Sequence, residues 1–292
     1  MSFGTPDRPI LALIHGWGLG SSVWQPVGEL LGQNHDIQLI DLPGYARGDL
    51  ASPTDFRQAA KAIADELPNG TIVCGWSLGA MLALQIALLA PHVIKGLVLV
   101  GGTPCFAQRA DWPHAQPTAL VDSFSQAVKH DAMQTRQRFV ALLNQGDTAA
   151  RTLTRNMTRS LATDYLPDRE TLLTGLGWLR DVDLRDEVST LAVPTLIIHG
   201  QHDPLMPLPA AQWLHERMAN SGLDIFPGAA HAPFAHDPER FAARLDAFCD
   251  EMHVTCSHFR AIGAGADHTA AADHVIELLA VVEAVLVMDI AR

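Results

Sequence analysis

Gly75-Trp76-Ser77-Leu78-Gly79 is a G-x-S-x-G sequence, and its flanks decide what it can do. Thr71-Ile72-Val73-Cys74 before it reads as a buried strand, and a helical pattern follows from Ala80 to Ala90. A serine on a sharp strand-to-helix turn stands exposed at the edge of a sheet. Glycines on both sides of such a turn remove the Cβ atoms that would crowd it. The helix that follows aims its N-terminal amides, with their partial positive charge, at the reacting centre. Ser77 is therefore the expected nucleophile.

A serine hydroxyl is a poor nucleophile until a base takes its proton. The chain offers 14 histidines, so position must decide. His231 lies in a loop of small residues, Gly228-Ala229-Ala230-His231, between a strand pattern (Leu223 to Phe226) and the last helix of the core. A serine–acid–histidine order places the base late in the chain, which makes His231 the expected base. His236 is the main rival, although its context reads as the start of a helix. His199 and His202 read as polar neighbours of the acid.

Asp203 follows a strand pattern and precedes His231, so it is the expected acid. Its carboxylate would hold the imidazole's second proton, fix the tautomer and stabilise the imidazolium. The alternative is a turn-forming aspartate before Pro204; Asp224 is a weaker substitute because it falls inside a strand pattern. The oxyanion of an acyl transfer needs two donors. The expected ones are the backbone N–H groups of Leu78 and of Trp17, the latter in the small-residue loop His15-Gly16-Trp17-Gly18, which His15 would brace.

These groups need a scaffold that presents strand ends side by side. Ile10 to Ile14, Ile37 to Ile40, Thr71 to Cys74, Leu97 to Val100 and Thr195 to Ile198 are short apolar runs, with helical patterns such as Asp55 to Leu67 and Ala80 to Leu89 between them. Near-continuous apolar strands alternating with helices predict an α/β fold with a mostly parallel sheet covered on both faces. Residues 116–181 carry helical patterns and no strand. They are expected to form a helical lid over the carboxyl edge of the sheet, where open α/β sheets bind ligands. The lid would separate two parts of the core, residues 1–115 and 182–252. Residues 253–292 are a C-terminal extension of small residues followed by an apolar helical pattern broken by Glu277, Glu283 and Asp289.

With 292 residues, 48% of them hydrophobic and 18% charged, the chain has the composition of a globular enzyme. Its net charge of −12 disfavours nucleic acid and anionic membranes as partners. The four cysteines show no C-x-x-C spacing, no basic leader precedes a long apolar stretch, and no apolar run is long enough to span a bilayer. A cytoplasmic monomer is expected, and ester chemistry on this machinery requires neither a metal nor an organic cofactor.

Taken together, the residues resemble the pimeloyl-acyl-carrier-protein methyl ester esterases of biotin synthesis, a family with the α/β-hydrolase fold. The resemblance covers residues 10–250. It rests on His15-Gly16-Trp17-Gly18, Asp41-Leu42-Pro43-Gly44, the Gly75–Gly79 elbow, Pro104-Cys105-Phe106 with Trp112-Pro113, Val182-Asp183-Leu184-Arg185, and Ala230-His231-Ala232-Pro233-Phe234. It implies hydrolysis of a methyl ester on a pimeloyl chain borne by acyl carrier protein. It also implies substrate contacts at Trp17, Ser77, Leu78 and His231, and along Phe139, Val140, Ala141, Leu142 and Leu143. Leu143 stands where the family leads one to expect a polar residue. Residues 136–159 hold Arg136, Arg138, Arg151, Arg155 and Arg159 against a single acid, Asp147. Arg138, Arg151, Arg155 and Arg159 are the expected contacts to the acidic carrier, the last three aligned on one helix by their four-residue spacing; a merely solvated basic face is the alternative.

The same three groups could serve a broad-specificity carboxylesterase, an acyltransferase or a carbon–carbon bond hydrolase. A non-catalytic binding protein on this fold would have had no reason to keep all of them.

Overall fold

The computed structural model describes residues 8–46, 55–162 and 165–263, with side chains described as far as residue 252. The chain divides into two compact units, Met1–Phe248 and Cys249–Arg292. The apolar pattern at residues 274–290 lies outside the described residues.

Unit Met1–Phe248 is built on one six-stranded sheet, and every pairing in it is parallel. In chain order the elements are β1 (Ile10–Ile14), a 3-10 turn (Ser21–Trp24), α1 (Gln25–Leu31), β2 (Asp36–Ile40), α2 (Phe56–Glu66), β3 (Thr71–Trp76), α3 (Leu78–Leu89) and β4 (Ile94–Val100). Four helices follow: α4 (Thr118–His130), α5 (Ala132–Leu143), α6 (Ala150–Leu161) and α7 (Arg169–Asp181). The core then resumes with β5 (Thr195–Gly200), α8 (Leu208–Arg217), β6 (Ser221–Phe226), α9 (Pro233–His236) and α10 (Pro238–Gly263).

The strands lie in the order β2-β1-β3-β4-β5-β6. All six residues of β3 are buried, as are all six of β5, which is why these strands read as continuous apolar runs rather than alternating ones. α3 is buried from Leu78 to Ala87 and, Gln85 apart, is apolar around its circumference, the pattern of a helix covered on every side. α2 is amphipathic instead, and its first turn is capped by Asp55, whose carboxylate accepts from the Gln58 N–H at 2.8 Å.

The strand order reverses at β1, which has β2 on one side and β3 on the other. Ile14 pairs with Gly75 across that switch point, so the loops after β1 and β3 leave the sheet side by side. His15–Gly18 and Ser77 are thereby neighbours before any side chain is considered.

The helical insertion between β4 and β5 is fastened at its base. Leu184 N–H donates to Pro104 O at 2.9 Å, and Cys105 bridges Asp183 in antiparallel fashion. Arg185 binds both Asp183 (2.7 Å) and Asp111 (3.0 Å) and lies over the Trp112 ring at 5.4 Å. Trp112 in turn donates to Cys105 O at 2.8 Å. Burial pushes the Cys105 thiol up to about 11, so it acts here as a small core residue.

Candidate active site

Ser77 sits between the last residue of β3 and the first of α3 with φ 59° and ψ −120°, the one non-glycine residue with positive φ among those described. That backbone is costly for an L-residue and lifts the side chain out of the turn. Its N–H donates to Val100 O at 3.0 Å. The flanking glycines are required by close approach: a Cβ on Gly75 would run into Gly79 O, and one on Gly79 would stand 2.5 Å from both Ile14 O and His15 O.

The loop after β6 brings His231 to this serine. His231 Nε2 and Ser77 Oγ are 2.8 Å apart, and His231 Nδ1 and Asp203 Oδ2 are 2.7 Å apart. A carboxylate can only accept, so Nδ1 carries the proton and Nε2 is left to accept from the Ser77 hydroxyl. Asp203 lies just beyond β5, where its Oδ1 accepts from the N–H groups of Leu205 (2.9 Å) and Met206 (2.8 Å). Burial would raise its pKa, but its pairing with His231 and the backbone donors outweigh it and hold the carboxyl below its ordinary value. All three side chains are buried.

The rival residues stand elsewhere. His236 pairs with Asp147 at 2.9 Å, and Asp224 pairs with Arg240 at 2.7 Å. His202 is exposed, with Nδ1 3.2 Å from Gly146 O. His199 is buried and donates from Nε2 to Met206 O at 2.7 Å, 3.6 Å from Asp203 Oδ2. Burial holds it below its ordinary pKa and therefore neutral, so it steadies the turn that carries Asp203.

Trp17 and Leu78 are almost fully buried, and among the described residues neither backbone N–H donates to a protein acceptor. Two donors left open beside a serine are what a developing oxyanion needs. The loop carrying Trp17 is held from several directions. His15 accepts at Nε2 from Leu42 N–H (3.0 Å), which leaves Nδ1–H to donate to Gly16 O (2.8 Å). Burial lowers its pKa to about 4, so it is a neutral brace and not a proton carrier. Tyr45 accepts at its hydroxyl from Gly18 N–H (2.9 Å), and Arg136 Nε–H donates to Gly18 O (2.7 Å).

The insertion closes over these groups. The Trp17 indole N–H donates to Leu172 O in α7 at 2.9 Å, and its ring meets Phe139 edge-on at 4.9 Å and Phe124 at 6.0 Å. Phe106, Leu120, Val121, Leu176, Leu179 and Leu205 complete an apolar cavity of only about 20 Å³, room for roughly one water. Of the expected stretch 139–143, the helical period carries Phe139 to this wall and buries Val140 and Leu143, whose carbonyl accepts from His231 N–H at 3.2 Å. Ala141 is exposed and Leu142 half-buried; five consecutive residues of a helix cannot all face one cavity.

Arg138, Arg151, Arg155 and Arg159 are exposed on α5 and α6, and among the described residues none pairs with a carboxylate. Arg136 departs from that face: it is fully buried against the Trp17 loop. Asp147 departs from it too. Its side chain is 1% exposed and accepts from Ala230 N–H (2.8 Å), Ala149 N–H (2.7 Å) and the Nδ1–H of His236 (2.9 Å). In the sequence both were charges in a basic segment; only their burial marks them as parts of the site.

A family model described as the alpha/beta hydrolase family matches residues 11–244. The pimeloyl-[acyl-carrier protein] methyl ester esterase of Nitrosomonas europaea is 37% identical over 243 residues, which cover 83% of this chain and 96% of the relative. The esterase of the same name from Aromatoleum aromaticum is 37% identical over 245 residues, 82% of this chain and 98% of its own. Among solved structures, an esterase from Exiguobacterium antarcticum superposes with a TM-score of 0.74 at 24% identity, covering 83% of this chain and 92% of that one. A bromoperoxidase from Bacillus anthracis gives 0.75 at 19% identity, with coverage of 83% and 92%. At those identities the structural likeness speaks for the fold.

Proposed function

The chain belongs to the pimeloyl-[acyl-carrier protein] methyl ester esterases of the alpha/beta hydrolase family, and from that premise we propose how its own residues divide the work. It is a carboxylic ester hydrolase, and its ester is the methyl ester of a pimeloyl group carried by acyl carrier protein. The observation that carries the division of roles is the buried chain Ser77–His231–Asp203, linked at 2.8 and 2.7 Å.

Ser77 Oγ attacks the ester carbonyl carbon as its proton passes to His231 Nε2, and Asp203 stabilises the resulting imidazolium. The carbonyl oxygen, now negative, is held by the amides of Trp17 and Leu78. When the intermediate collapses, methoxide takes the proton from Nε2 and leaves as methanol, with the acyl group on Ser77. A water then gives its proton to Nε2 and attacks the acyl carbon. Ser77 departs, regains the proton, and the free carboxylic acid remains on the carrier. Methanol is an adequate leaving group with this assistance, so the scheme needs no cofactor.

The exposed arginines Arg138, Arg151, Arg155 and Arg159 are the surface we assign to the acidic carrier. Every group in the scheme lies within Met1–Phe248 of one chain, which supports a monomer as the working unit. Among the described residues no helix is long and apolar enough to cross a membrane. The buried free thiols of Cys74 and Cys105 suit a reducing, cytoplasmic setting.

The test is steady-state hydrolysis of pimeloyl-acyl-carrier-protein methyl ester beside a small p-nitrophenyl ester, with Ser77→Ala as the control. A much higher kcat/KM for the carrier-borne ester, and loss of both activities in Ser77→Ala, is expected. Turnover of the small ester alone would remove the carrier; full activity of Ser77→Ala would remove the nucleophile.

A further inference from the structure

We propose that Asp147, in the turn between α5 and α6, is a positioning residue for the base: it grips the loop of His231 on both sides of the imidazole. The inference rests on the assignment of His231 as the base of Ser77.

Apart from the imidazole itself, the loop Gly228-Ala229-Ala230-His231 has no side chain large enough to wedge it in place. Its hold comes from elsewhere, and much of it comes from the insertion. Leu143 O accepts from His231 N–H at 3.2 Å, and Thr148 N–H donates to Gly228 O at 3.0 Å. Between these two bonds, Asp147 Oδ2 accepts from Ala230 N–H, the residue immediately before His231. Its other oxygen takes the Nδ1–H of His236, at the end of the short helix that begins two residues after His231. One carboxylate therefore spans the histidine in sequence.

A buried carboxylate is tolerated only when its oxygens are hydrogen-bonded, and Asp147 has three donors for that purpose. The same requirement makes the grip stiff, because moving the loop away from the turn would strand the charge. Asp147 is hydrogen-bonded to neither the Ser77 nor the His231 side chain; it acts through the backbone that aims the imidazole. Small displacements of such an imidazole are costly, since a misplacement of about 1 Å can lower a rate by about a hundredfold.

The experiment compares Asp147→Ala and Asp147→Asn with the unaltered full-length chain on a small p-nitrophenyl ester, which does not use the carrier surface. Labelling of Ser77 by a fluorophosphonate is followed in parallel. Asp147→Ala is expected to lower kcat by about 10- to 100-fold with KM changed less than about twofold, and to slow labelling by a similar factor. Asp147→Asn keeps one acceptor for Ala230 N–H and is expected to recover part of that loss. If Asp147→Ala does not fold, Asp147→Asn decides alone, and is expected to lie well below the unaltered chain. A kcat within about twofold of the unaltered value in a folded variant overturns the proposal, even if the melting temperature drops, because Asp147 would then serve the fold only. A rise in KM at constant kcat overturns it as well. Failure of the base assignment is read separately, as retained turnover or retained Ser77 labelling in His231→Ala.

Discussion

The indole N–H of Trp76 donates to the carbonyl oxygen of His231 at 2.7 Å, so the residue preceding the serine holds the residue that faces it. The two rings lie 5.4 Å apart, and Phe234 packs edge-on against the indole at 5.2 Å. Trp76→Phe keeps an aromatic ring and removes the donor. The buried carbonyl left behind costs about 1–3 kcal/mol. Scanning calorimetry should show the melting temperature falling by roughly 2–4 °C per kcal/mol for a unit of this size, with a lower kcat on a small ester. An unchanged melting temperature would mean that His231 O had found another donor.

His15 makes the fold sensitive to acid. Burial lowers its pKa from 6.5 to about 4, so between those values the unfolded chain binds a proton that the folded chain refuses. The contribution of this one group, about 3 kcal/mol, is fully present above about pH 6.5 and is lost as the pH falls toward 4. His199, also lowered by burial, adds to the effect with the same sign. Urea unfolding at pH 7 and pH 5 should give a lower midpoint at pH 5, and His15→Asn should narrow the difference. Equal midpoints in the unaltered chain would contradict a buried neutral His15.

Gly175 is the point where α7 meets Trp17. A Cβ there would stand 2.7 Å from Trp17 Cδ1, so Gly175→Ala must push either the helix or the indole aside. Overpacking of this kind costs about 1–3 kcal/mol. Because Trp17 also carries an oxyanion amide in our scheme, kcat/KM should fall by tenfold or more while the far-ultraviolet spectrum stays unaltered. Retained activity would show that α7 can retreat without disturbing the amide.

The exposed arginines should matter for one substrate and not for another. Arg155→Glu with Arg159→Glu is expected to lower kcat/KM for the carrier-borne ester by tenfold or more and to leave the small ester unaffected. Raising the ionic strength should weaken the unaltered enzyme on the carrier substrate in the same direction. An equal loss on both substrates would place the arginines in the fold instead.

The central strands were legible because a strand covered on both faces has no polar side to interrupt it, as in Thr71–Cys74 and Thr195–Ile198. Their ends were less so. Ile94-Lys95-Gly96 opens β4 despite its lysine and glycine, because pairing with β3 extends beyond the apolar run. The positions of Ser77, Asp203 and His231 followed from chain order and strand ends, which local sequence does express. Arg136 and Asp147 were not legible as parts of the site. Which face of α5 turns inward, and what its following turn meets across the molecule, are tertiary facts that charge in sequence does not encode. The same limit applies to residues 139–143, where a continuous stretch in sequence becomes two faces of one helix.

The positive φ of Ser77 sets stability against chemistry at a single residue. A glycine would occupy that backbone without the roughly 1–3 kcal/mol that a side chain pays there, and against a total of about 5–15 kcal/mol that saving is substantial. A chain carrying Ser77→Gly would therefore be sturdier than one carrying Ser77→Ala and, with Ser77 as the nucleophile of our scheme, equally inert. Any search for hardier variants that screens on heat resistance alone would drift toward that dead protein. Only selection on turnover keeps the serine in its awkward place.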